Sequence, residues 1–172
     1  MSIDQRVVPD VVPQLDYRGL FGWPVRWHNG ELMLVTGSGI GAVTVPKALA
    51  DRVLDSLARQ GCSGPAVNVP TKRGTVVMLL VETDALTFDD TPLPEGVQVL
   101  PTGSGVPLPG NGPGNLARWL VAPDEHQRWL PSLAAVLASI RSVARGGPAR
   151  EPRWDHKGLT TVRPRTRRTA IE

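Results

Sequence analysis

The sequence predicts an α+β fold: a small mixed, mainly antiparallel sheet with two principal helices. Three observations lead there. Short runs rich in Val and Leu are cut apart by Asn-Gly, Gly-Ser-Gly and Pro-containing turns, the pattern of strands joined by tight connections. Two segments instead repeat apolar residues at helical spacing. The 18 Gly and 17 Pro among 172 residues keep every other element short. A chain of this length suits one ordinary domain. Residues 17–145 are assigned to it, with 1–16 as an extended leader and 146–172 as a basic disordered tail.

The leader, MSIDQRVVPDVVPQLD, has two prolines and no sustained period. Phe21-Gly-Trp-Pro-Val-Arg-Trp27 then runs into His28-Asn29-Gly30. Asn-Gly is the strongest short hairpin signal, so strands over about 23–27 and 31–36 pair across it. Thr36-Gly-Ser-Gly-Ile-Gly41 follows, and Ala42-Val-Thr-Val45 reads as a third strand. Pro46 opens a helix, because a first helical position has no use for the missing N–H. Leu49, Val53, Leu54 and Leu57 line one face of it and Asp51, Arg52, Asp55 and Arg59 the other. Gly61 stops it.

Pro65–Val69 and Thr75–Val81 read as strands joined by a polar turn at Thr71–Gly74. The second is apolar on both faces and so belongs at the centre of a sheet. Residues 84–96 form an acidic, proline-containing surface loop. Val97–Leu100, Val106–Leu108 and Leu116–Val121 are short strand segments. The last element is a helix over Pro131–Arg145, with Leu133, Val136, Leu137, Ile140 and Val143 on one face and Gly146-Gly147-Pro148 ending it. From Ala149 onward apolar residues are too sparse to offset the entropy of ordering.

The net charge of +3 conceals an asymmetry: residues 1–140 carry 10 Lys and Arg against 13 Asp and Glu, and residues 141–172 carry 9 against 3. An acidic body with a basic terminus attracts a polyanion such as nucleic acid, anionic lipid or an acidic protein face, unless the tail serves solubility alone. The single cysteine, Cys62, makes no internal disulfide, and the N-terminus has no secretory pattern, so the expected location is cytoplasmic. No run approaches the roughly 18 apolar residues of a membrane span, so no membrane insertion is expected.

Gly37-Ser-Gly-Ile-Gly-Ala42 matches the G-x-G-x-x-G/A dinucleotide fingerprint, which needs a helix to begin inside it. Val43-Thr-Val-Pro46 is a strand pattern instead, so the string reads as a turn between strands. Thr102-Gly-Ser-Gly105 repeats the tetrapeptide Thr36-Gly-Ser-Gly39 in a similar setting. His28, His126 and His156 lack metal-ligand spacing, and the adjacent carboxylates Asp89-Asp90 sit in a proline-flanked loop where solvated acids are ordinary. No nucleophile signature occurs, and no cofactor is implied. Four tryptophans follow arginine, at Arg26-Trp27, Arg118-Trp119, Arg128-Trp129 and Arg153-Trp154. Such pairs can make a stacking platform for single-stranded nucleic acid. The preferred reading instead buries Trp27 and Trp119 and leaves Arg26 and Arg118 outside, since strand neighbours point to opposite faces.

Gly22-Trp-Pro-Val25, Val45-Pro46, Gly64-Pro65, Leu79-Leu80-Val81, Val106-Pro-Leu-Pro109, Arg118-Trp119 and Leu130-Pro131, in that order, resemble a group of short actinobacterial proteins similar to the N-terminal domain of bifunctional DNA primase/polymerases. The resemblance spans about residues 19 to 140. It implies a primase/polymerase-like core whose active members hold divalent metal on acidic residues of a strand soon after the first hairpin. Here that strand would be Gly41-Ala-Val-Thr-Val-Pro46, which has no carboxylate, and the histidine of active members has no counterpart. Two-metal phosphoryl transfer needs carboxylates to place the ions. The expectation is therefore a non-catalytic relative that binds nucleic acid or a replication complex. Arg163, Arg165, Arg167 and Arg168 would anchor it electrostatically, with Arg118 and Trp154 as candidate stacking or basic-surface residues. The alternative is a protein-interaction or regulatory module whose basic tail docks on an acidic partner, with no nucleic-acid role.

Overall fold

A computed structural model describes residues 15–84, 90–110 and 112–146. The leader to residue 14, Trp154 and the tail arginines 163, 165, 167 and 168 lie outside these residues. Within them the fold is α+β, with three helices and antiparallel strand pairing throughout two sheets.

A short helix, α1 (Tyr17–Phe21), opens the body. Five residues are too few to show a period, but its ends are specified: the Asp16 carboxylate accepts from the Gly19 N–H, and Gly22 leaves the helix in the left-handed region. Strands β1 (Val25–His28) and β2 (Glu31–Val35) pair across the predicted Asn29-Gly30 turn. Both turn residues have positive φ, 51° and 81°, as a two-residue hairpin with native twist requires.

Strand β3 (Ile40–Pro46) leads into helix α2 (Lys47–Arg59) through Pro46. Strands β4 (Ala66–Thr71) and β5 (Gly74–Glu82) form the second hairpin. Of the remaining strands, β6 (Gln98–Val99) and β8 (Arg118–Val121) are shorter than their predicted runs and β7 (Gly105–Pro107) is shifted by one residue, and helix α3 (Leu133–Arg145) closes the body.

The strands divide into two sheets rather than the single sheet expected. One runs β1-β2-β7, the other β6-β3-β5-β4-β8, with the doubly apolar β5 in the centre as predicted. Alternation along the larger sheet assigns its faces. Val43, Val45, Val77, Leu79 and Val81 turn toward α2 and α3 and meet Val53, Leu57, Val136 and Ile140. Ala42 and Leu80 turn the other way, toward Leu32, Leu34, Val106 and Leu108 of the smaller sheet and toward Tyr17 and Trp23. Helices, large sheet and small sheet thus make three layers with a core on each side of the middle one. The helices are tied to each other by polar contacts: Arg52 donates to the Val143 carbonyl at 2.9 Å and Gln60 to the Ser139 hydroxyl at 3.0 Å.

Among the described residues no helix is long and apolar enough to cross a membrane.

Candidate functional site

The repeated tetrapeptide has a structural meaning. Thr36-Gly-Ser-Gly39 carries the chain from β2 in the small sheet to β3 in the large one, and Thr102-Gly-Ser-Gly105 carries it back from β6 to β7. Since β2 pairs with β7 and β3 with β6, the two crossings are brought side by side. Thr36, 3% exposed, fastens them. Its hydroxyl donates to the Pro101 carbonyl at 2.7 Å and accepts from the Ser104 N–H at 2.9 Å, while its N–H donates to the Ser104 carbonyl at 2.9 Å and its carbonyl accepts from Gly103 at 2.8 Å.

The 37–42 glycine string is accordingly a turn, not a phosphate loop. Gly37 and Ile40 exchange both backbone hydrogen bonds, at 2.8 and 3.0 Å, around Ser38 and Gly39, which have φ of 52° and 86°. The next helix, α2, starts only after the whole of β3, so no helix N-terminus stands inside the string. On one side of the paired crossings lies an open cavity of about 730 Å³ that reaches Thr83, Asp84 and the first turns of α3.

A second concave surface lies on the small sheet. Trp27 and Leu32 are cross-strand partners and share a face, yet Leu32 is buried and Trp27 is 61% exposed. This overturns the expected burial of Trp27. Strand β1 is a sheet edge whose burial fades from Val25 toward the hairpin, so the ring stands past the cover that protects Leu32. The aromatic anchor of this core is Trp23, 3% exposed, stacked on Tyr17 with ring centres 5.7 Å apart. Its signal was the Gly22-Trp-Pro sequence that pins it between a helix cap and a strand start. Trp27 lines a groove of about 410 Å³ together with Arg18, Asp16 and Leu15. Arg18 spans it, donating to the Val25 carbonyl at 2.9 Å. Arg26 is exposed on the opposite face, as predicted.

The other tryptophans separate similarly. Trp119 packs against the small-sheet core but is half-buried rather than buried as expected, and its indole N–H donates to the Tyr17 hydroxyl at 3.1 Å. Arg118 faces outward, but its guanidinium donates to the Asn115 and Ala117 carbonyls at 2.9 and 2.7 Å, so it also holds the loop before β8. Trp129 is exposed.

Among the described residues no three His, Cys, Asp or Glu converge on a point. His28 lies beside Asn29 at 3.3 Å, and His126 beside Asp124 at 3.3 Å, each at the surface. The His126 backbone N–H holds the Asp124 carboxyl below its usual range. Strand β3, the run that the resemblance aligns with a metal-holding strand, presents Ala, Val and Thr and no acid. The chain matches no protein-family model, no curated protein and no solved structure.

Proposed function

We propose that this protein is a non-catalytic, primase/polymerase-like domain that binds single-stranded nucleic acid, alone or within a replication complex. The observation that carries this reading is the solvent-facing Trp27 indole, which shares a groove with Arg18. A base stacks on an exposed ring without regard to its identity, and stacking contributes about 1–3 kcal/mol per base. The groove is not strongly basic, because Asp16 offsets Arg18 there. Phosphate attraction therefore falls to the tail, where Arg163, Arg165, Arg167 and Arg168 supply charge without reading sequence. The carboxylate-free β3 supports the non-catalytic part, since placing two metal ions requires acids there.

The test is anisotropy of labelled single- and double-stranded DNA against the full chain at several salt concentrations. Replacing the four tail arginines by Gln should weaken binding and lower the slope of log K against log salt by up to about 3. An unchanged slope removes the anchor.

The second reading, a protein-interaction module, is favoured by exposed Leu116 and Leu120 flanking and occupying the edge strand β8, where apolar side chains and unpaired backbone lie together. A stoichiometric partner retained after nuclease treatment, and lost with Leu120→Lys, would support it.

A further inference from the structure

The open cavity beside the two sheet crossings takes no part in the reading above and shares no lining residue with the Trp27 groove. Its volume, about 730 Å³, falls in the range of small-molecule sites, about 300–1,000 Å³. Three features define what would fit. Its rim is fixed in advance: the turn bearing Ser38 is tied on one side to Ser104 through Thr36, and on the other to Thr83, whose N–H donates to the Gly39 carbonyl at 2.8 Å. Its floor is apolar, formed by Leu93, Val99, Leu133 and Leu137. Its only charged lining residue among those described is the exposed Asp84, so phosphate and carboxylate groups meet a like charge and no cation.

We infer that this cavity binds a small amphipathic amine, with its ammonium at Asp84, its polar edge on the Ser38 and Thr102 hydroxyls and its apolar body over the leucine floor. The start of α3 would favour an anion instead, but its Ala135 N–H is already taken by the Ser132 hydroxyl. Ammonium and carboxylate forms of one ring system therefore separate the two electrostatic influences.

The experiment is a titration of the full, isotope-labelled chain with tryptamine, tryptophol and indole-3-propionate, which carry an ammonium, a hydroxyl and a carboxylate on similar indole side chains. Amide resonances of Ser38, Gly39, Thr83 and Thr102 should shift saturably, most tightly with tryptamine and least with indole-3-propionate. Asp84→Asn should weaken tryptamine about fivefold, the scale of an exposed ion pair, and leave tryptophol unchanged. Ser38→Gly keeps the left-handed turn, removes the hydroxyl and should weaken tryptamine and tryptophol alike. Trp27→Ala should change none of these affinities. A flat or reversed charge series, or no saturable shift at the four amides with any probe, overturns the inference.

Discussion

Thr36 satisfies, with one hydroxyl and its own peptide group, the backbone of two chain crossings that lie far apart in sequence. Thr36→Val keeps the shape but removes the hydroxyl's bonds to the Ser104 N–H and the Pro101 carbonyl, which keep only their 3.2 Å bond to each other and the Ser104 hydroxyl on Pro101, so it should cost about 0.5–1.5 kcal/mol in denaturant unfolding. Thr36→Ser should recover most of that. Tyr17 offers a second residue-level test. Burial raises its phenol above the usual tyrosine range, with the Trp119 hydrogen bond pulling the opposite way. Above the unfolded value of about 10 the unfolded chain loses its proton first, so native stability falls as pH rises from there toward the native value, and Tyr17 leaves stability unaffected below the unfolded value. Tyr17 is the only tyrosine in the chain, so tyrosinate absorbance reports on it alone. That absorbance should appear later than for an exposed tyrosine, and Tyr17→Phe should flatten the alkaline loss of stability. Titration at the ordinary value contradicts the burial argument.

The helices differ in how they begin. Ser132 caps α3 by accepting from the Ala135 N–H at 3.2 Å, whereas α2 is entered from Pro46 with no side-chain cap. Ser132→Ala should therefore destabilise by about 1 kcal/mol, and Ser142→Ala, exposed in the same helix, by less than about 0.5 kcal/mol. Both helices, the Asn29-Gly30 hairpin and the central place of β5 were legible in the sequence, because period, turn chemistry and two-faced apolarity are local signals. The partition into two sheets was not. Alternation gives each strand its faces but not its neighbours, and the pairing of β2 with β7 and β3 with β6 joins segments far apart in the chain. Hence the Thr-Gly-Ser-Gly strings were legible as turns but not as adjacent crossings walling a cavity. Trp27 failed for a related reason: its face was readable, whereas the fading cover at the end of an edge strand was not.

At the scale of the molecule, the layers separate stability from the surfaces offered to partners. The two cores share the middle sheet, so Leu80→Ala, on its small-sheet face, should cost about 2–5 kcal/mol and weaken every surface together. Trp27, by contrast, lies outside that packing and can be removed at little cost to the fold. In the proposed reading this ring contacts a base while the tail arginines hold phosphate. The direct measurement is the affinity of the full chain for a single-stranded oligonucleotide at fixed moderate salt, compared across Trp27→Ala and Trp27→Phe. Loss of one stacked base, about 1–3 kcal/mol, predicts a roughly fivefold to hundredfold weakening in Trp27→Ala, partial recovery in Trp27→Phe and an unchanged unfolding midpoint in both. Equal affinity of all three chains would contradict the stacking platform and leave the body without a nucleic-acid role.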